Sequence, residues 1–237
     1  MTDQKEQGDS KQDIRRKNIF RRFLQVTFTV FLTALILFMS SGSFDWIWAW
    51  VYLITYIVVV IVNAIIFSPE LISERGRKKE NVEKWDKVVT GLLMIPLLAL
   101  YVVSGLDIRF GCSPETALWI HLAGLAVFLS GIALVSWSMV SNTYFSTAVR
   151  IQYDRDHTVS DGGPYRYMRH PGYLGMIIYN LATPLIFGSL WAFLPAGIMV
   201  ILFVVRIILE DSTLKTKLEG YREYAERVRY RLIPFVW

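Results

Sequence analysis

The sequence predicts an all-α integral membrane protein with about six transmembrane helices, the last two forming a tilted hairpin, and a cytosolic C-terminal amphipathic helix. Three observations carry that prediction. First, 54% of the 237 residues are hydrophobic and only 19% charged, fewer charges than a soluble chain of this length carries. Second, the 8 Trp and 12 Tyr are side chains that favour the lipid–water interface. Third, apolar stretches near 20 residues recur, each long enough or nearly so to cross ~30 Å of hydrocarbon at about 1.5 Å per residue.

Residues 1–22 are polar and basic, with no short apolar core and no small-residue cleavage site. They read as a disordered basic cytosolic tail rather than a cleavable signal. Four apolar segments follow, at about 23–41, 46–67, 88–107 and 116–138, and make up a four-helix part over 23–138. The polar stretch 139–171 separates them from a fifth segment, about 173–187, a tight Phe187-Gly188-Ser189 turn, and a sixth segment from Trp191 to Glu210. The fifth is short for a full span, hence the hairpin. In the tail, Leu214, Leu218, Tyr221, Ala225, Val228 and Leu232 recur at three- and four-residue steps, an apolar stripe on an otherwise charged helix. Arg227, Arg229 and Arg231 suit the negative end of that helix, and Pro234 stops it. Both a helix lying on anionic lipid and a lid over a site satisfy this pattern.

The basic residues set the orientation. Of 25 Lys and Arg, 23 fall in residues 1–22, 68–87, 139–171 and 212–237; Arg206 lies inside the sixth segment and Arg109 in a loop on the other side. Six spans with both termini in the cytosol produce that split. The net charge of +5 is therefore a topology signal, and with no basic–aromatic module no nucleic-acid partner is expected. A single cysteine, Cys112, excludes an intramolecular disulfide and a multi-cysteine metal site. The scattered His121, His157 and His170 suggest no metal centre, and His121 reads as a packed, hydrogen-bonded side chain.

Three constellations converge on the same face. In residues 157–175, Gly162, Gly163 and Pro164 build a turn whose freed amides suit an anion. Tyr165, Tyr167 and Tyr173 offer aromatic faces for a planar ring or a sulfonium cation, Arg169 and His170 add donors, and Pro171 disfavours helix at His170. Arg206 and Glu210 lie one turn apart on one face of the sixth segment, and ionisable residues there usually face the protein interior or a water-filled cavity. The polar stretch 142–160 leads into the loop and by itself reads as a linker.

Residues 163–175, Gly-Pro-Tyr-Arg-Tyr-Met-Arg-His-Pro-Gly-Tyr-Leu-Gly, resemble the signature loop of the isoprenylcysteine carboxyl methyltransferase family and its phospholipid methyltransferase relatives. Arg206-Ile207-Ile208-Leu209-Glu210-Asp211 resembles the family's second signature, Arg-x-x-x-Glu-Glu, and the likeness extends over roughly residues 140–237. The resemblance implies a membrane methyltransferase that uses S-adenosylmethionine, held in a cytosolic pocket closed by the C-terminal region. A lipophilic small-molecule or prenylated substrate would enter from the bilayer. It implies that His157, Thr158, Val159, Ser160, Tyr165, His170, Pro171, Gly172 and Tyr173 line the cofactor, and that Glu210 contacts it. Gln152, with Arg150 as the other register, would be an upstream contact, and Arg206 would face the substrate. Asp211 departs from the usual second Glu, and the His157–Ser160 run departs from a common Leu-Val pair. The acceptor stays open between the carboxylate of a prenylated cysteine or isoprenoid acid and a phospholipid amine. An NADPH-dependent sterol or enone reductase and a non-catalytic scaffold are the readings of other classes.

Overall fold

A computed structural model describes the backbone of residues 2–237 and the side chains of residues 12–237. The described chain is helical, with no strand: α1 (Thr2–Ser41), α2 (Ile47–Ile66), α3 (Pro69–Gly76), α4 (Lys84–Phe110), α5 (Leu118–Val140), α6 (Pro171–Phe187), α7 (Phe193–Lys217) and α8 (Tyr221–Arg227). Five of these are long and apolar enough to cross a membrane: residues 12–41 of α1, then α2, α4, α5 and α7. With 17 residues α6 is shorter, as its apolar run implies. Ile54, Ile61, Ile65, Ile95, Leu194 and Ile201 point outwards at 54% exposure or more, a surface suited to lipid and ruinous in water.

Residues 12–22, expected within a disordered tail, instead continue α1 without a break. The physical reason is docking on α3. Asn18 is buried, a Cβ at Gly76 would run into the Asn18 carbonyl, and Arg15 pairs with Glu70 at 2.7 Å. The short helix α3 itself was not anticipated. Ser68 caps it by accepting from the Leu71 amide at 3.2 Å, and Pro69 occupies its first turn.

The closest helix pairing is α5 against α6. Glycines allow it: a Cβ on Gly175 would stand 2.6 Å from the Gly131 carbonyl oxygen, and one on Gly131 would stand 2.8 Å from that of Gly175. Backbones can approach that closely only without side chains between them. Around this pair α1, α2, α4 and α7 pack a core of Leu37, Tyr52, Phe128, Ile186, Phe187 and Ile207.

Loops gather at two ends of the bundle. At one, Asp107 accepts from the Ser113 amide at 2.7 Å and from the Ser189 hydroxyl. Here His121 stacks on Trp48 at 4.1 Å, and its Nδ1 lies 2.8 Å from the Ile186 carbonyl, the packed histidine that the sequence suggests. At the other end meet α3, the start of α4, residues 141–170 and everything after α7. The expected C-terminal helix is broken there: α7 runs on to Lys217, Gly220 turns the chain at φ +75°, and α8 has only seven residues. Helix ends at Arg227, well before Pro234.

Candidate active site

The polar stretch between α5 and α6 folds by satisfying itself. Asn142 Oδ1 accepts from the Tyr144 amide at 2.9 Å and the Ser160 hydroxyl at 3.0 Å, which folds the start of the loop onto its end. Gln152 is 1% exposed; its Nε2 donates to the Tyr144 carbonyl at 2.6 Å and its Oε1 accepts from Arg155 at 2.8 Å. A 3₁₀ turn over Gly163–Arg166 follows, starting from Gly163 at φ +54° and Pro164. His170 is non-helical at φ −128° and ψ 54°, and Pro171, which disfavours the α-helical conformation in the residue before it, then opens α6.

Two buried aspartates hold this loop to the helices. Asp86, in the first turn of α4, is 1% exposed; it accepts from the Val149 amide at 2.8 Å and from Arg206 Nε at 2.8 Å. Asp211 is equally buried and accepts from Arg169 at 2.7 and 3.2 Å, from Tyr221 at 3.1 Å and from Arg231 at 3.3 Å, with Lys215 at 3.1 Å. The Arg169 and His170 amides donate to the Tyr230 and Arg231 carbonyls, and Tyr224 donates to the Tyr165 carbonyl at 2.8 Å. The C-terminal segment is thereby laid across the loop.

Between them lies a cavity of about 240 Å³. Its walls include Gln152, His157, Thr158, Val159, Ser160, Tyr165, His170, Gly172, Tyr173, Arg206 and Glu210, so the motifs named from sequence meet at one place. Leu214, Leu218, Tyr221 and Tyr224 close one side, which is the lid arrangement rather than a helix lying on lipid. Pro171 is the exception: it is packed away in the first turn of α6 and does not line the cavity. Gln152 and Arg150 both line it, so the register question has no single winner. The Gln152 side chain, however, is consumed in holding the loop.

Arg206 and Glu210 share a face but do not pair with each other. Arg206 is tied to Asp86 and, through Nη2, to the Thr147 carbonyl at 3.1 Å, while its guanidinium stands 5.6 Å over the Tyr173 ring. Glu210 accepts from the Tyr173 hydroxyl at 2.5 Å. His170 Nε2 is buried 3.5 Å from Asp211 Oδ1 without a hydrogen-bond partner. Sequence reasoning missed Asp86, and took Asp211 only as a variant motif position. The available signal was an acidic residue at the start of one apolar run and at the end of another, where an unpaired charge is costly.

The electrostatics of the loop are set by a second network. Glu74 of α3 lies 2.6 Å from Lys79 and 3.2 Å from Arg150; burial opposes its charge, yet these cations hold its carboxyl below the ordinary value. The hydrogen bond from Arg150, with Arg77 adding to it, lowers Asp154 to about 2. Burial, then the nearby Arg150 and Arg155, pushes His157 down to about 4, so its ring is neutral at physiological pH. Burial raises the Tyr165, Tyr221 and Tyr224 phenols, which therefore remain donors.

Residues 123–216 match the model of the isoprenylcysteine carboxyl methyltransferase (ICMT) family. The chain is 28% identical over 130 residues to a probable protein-S-isoprenylcysteine O-methyltransferase of Oryza sativa subsp. indica, covering 50% of this chain and 63% of the relative. It is 26% and 30% identical over 121 residues to protein-S-isoprenylcysteine O-methyltransferases A and B of Arabidopsis thaliana, covering 50% of this chain and 61% of each relative. The chain thus spans somewhat under two thirds of the length of these relatives. The match takes in most of α5, all of α6, the Arg-His-Pro-Gly-Tyr loop and the Arg206–Asp211 signature, so the similarity to this family falls on the residues that surround the cavity.

Proposed function

We propose that the cavity binds S-adenosylmethionine and that the protein methylates the carboxylate of a lipophilic acceptor of the prenylated-cysteine type. The observation that supports this most is the meeting of residues 157–160, Tyr165, His170, Tyr173 and Glu210 around one cavity, although they are spread over more than 50 positions of sequence.

The residues present fit such a cofactor. It carries a carboxylate, an ammonium, a sulfonium and an adenine. The cavity offers the Glu210 carboxylate for an ammonium and the Tyr165 and Tyr173 rings for a cation or a planar base. What the cofactor supplies when bound is a methyl group on a positively charged sulfur. The chain's own task is to position and to dry the site, because in-line displacement by a carboxylate needs no general base. Tyr173 fixes the Glu210 carboxylate through its 2.5 Å hydrogen bond, and Asp86 fixes the Arg206 guanidinium beside it. Tyr221 and Tyr224, held by Asp211 and the Tyr165 carbonyl, cover the cavity against water. The orientation implied by the basic residues puts this end of the bundle in the cytosol, where a soluble cofactor reaches it.

Calorimetric titration of the purified chain in detergent tests the cofactor: S-adenosylmethionine should bind and NADPH should not. Binding of NADPH alone would overturn the reading in favour of a reductase. A radiolabelled methyl donor with a total lipid extract then tests the acceptor, a base-labile product marking an ester. A base-stable product would replace the carboxylate acceptor by an amine.

A further inference from the structure

Four arginines line the cavity: Arg75, Arg150, Arg169 and Arg206. Three have acidic partners. Arg150 meets Glu74 at 3.2 Å and Asp154 at 2.9 Å, Arg169 meets Asp211 at 2.7 Å, and Arg206 meets Asp86 at 2.8 Å. The fourth has none among the described residues. Arg75 Nη1 reaches the Met139 sulfur at 3.6 Å, a weak acceptor for a charged donor. Its sequence neighbour Glu74 is turned the other way, into the Lys79 and Arg150 network.

What surrounds Arg75 makes the imbalance sharper. Arg22 of α1 is its charged neighbour, across the contact where a Cβ at Gly76 would stand 3.0 Å from the Arg22 Cβ. Tyr56 of α2 and Tyr179 of α6 also face it, and neither is an anion at neutral pH. Burial first, and Arg22 second, push the Arg75 guanidinium down to about 10, so it stays charged in the physiological range with no acidic partner among the described residues. A partly buried cation held against a second cation is stabilised by whatever anion enters the cavity.

We propose that Arg75 is the acceptor-binding arginine, its guanidinium holding the acceptor's carboxylate while Arg22 adds positive potential. This rests on the reading of the acceptor as a lipophilic carboxylic acid. It shifts the anion contact from Arg206, whose Nε is already committed to Asp86, to a residue outside both sequence signatures. Guanidinium suits the task because it meets both carboxylate oxygens at once, and the aliphatic part of its side chain tolerates the lipid side of a cavity. The paired arginines then act as fixed wall charges, and Arg75 is the one whose charge the acceptor completes.

The test is equilibrium binding, which does not depend on turnover. S-farnesyl-N-acetylcysteine and its carboxamide, two probes differing only in the charge of the head group, are titrated into full-length wild type, Arg75→Gln and Arg75→Lys in neutral detergent. Wild type should prefer the acid by about tenfold or more, Arg75→Gln should bind acid and amide equally, and Arg75→Lys should recover part of the preference. Retained S-adenosylmethionine affinity shows each variant to be folded. Full acid preference in Arg75→Gln, or no preference in wild type, would overturn the assignment. So would a stabilisation by phosphatidylglycerol vesicles that Arg75→Gln abolishes while acid preference persists, which would give the arginine to a lipid phosphate. Failure of the function itself reads out separately, as absent methyl transfer with acid preference intact.

Discussion

Asp211 and His157 show how single side chains set the condition of this site. Asp211 compensates Arg169 from a position 1% exposed, and removing one partner of a buried pair typically costs about 3–5 kcal/mol because the other charge is left stranded. Asp211→Ala should therefore lower the thermal unfolding midpoint in detergent sharply. Asp211→Asn, which keeps the shape and the Tyr221 contact, should lower it less; equal midpoints for Ala and wild type would remove Asp211 as an anchor. His157 gives a pH signature. Its folded value is about 4 against an ordinary 6.5, so above pH 6.5 folded and unfolded loop are both neutral. As pH falls from 6.5 towards 4 the unfolded loop takes up a proton that the folded loop refuses, and loop stability drops across that window. Amide exchange over residues 152–160 should accelerate there in wild type and not in His157→Gln.

At the scale of elements, the α5–α6 contact decides where the signature loop sits. Gly175→Val places a branched side chain where a single Cβ would already stand 2.6 Å from the Gly131 carbonyl, and overpacking of this kind costs about 1–3 kcal/mol. The expected result is a lower unfolding midpoint together with weakened S-adenosylmethionine binding, because α6 carries Gly172 and Tyr173 into the cavity. Loss of stability without any change in binding would show the two to be independent. The broken C-terminal helix belongs to this scale as well. Its apolar stripe is visible in the spacing of Leu214, Leu218 and Tyr221, but the stripe is used from both sides of the Gly220 turn. Helical periodicity survives a turn at a glycine, which is why the sequence could not reveal the break.

For the whole molecule, the two ends of the bundle should face different compartments. The native Cys112 is exposed at the end opposite the cavity, and Ser160 lines the cavity. In sealed, oriented vesicles an impermeant thiol reagent should label Cys112 from one side. A cysteine introduced by Ser160→Cys in a Cys112→Ser background should label from the other side only. Labelling of both from one side would overturn the two-ended arrangement and the cytosolic cavity with it.

The class of the protein was legible in residue spacing alone: apolar runs near 20 residues dictate helices because a bilayer supplies no other partner for backbone groups. The two signatures were legible too, since Pro171, Gly163 and the Arg206–Glu210 step carry their local geometry with them. The cavity was only partly so. That Arg206 belongs to Asp86 and Arg169 to Asp211 are facts about partners 120 and 42 residues away, and that Arg75 meets no acid among the described residues is equally a matter of which helices surround it. Local chain physics sets helices and turns, whereas charge pairing across a bundle depends on which helix faces which. Only the tertiary structure decides that, through close glycine contacts and buried carboxylates.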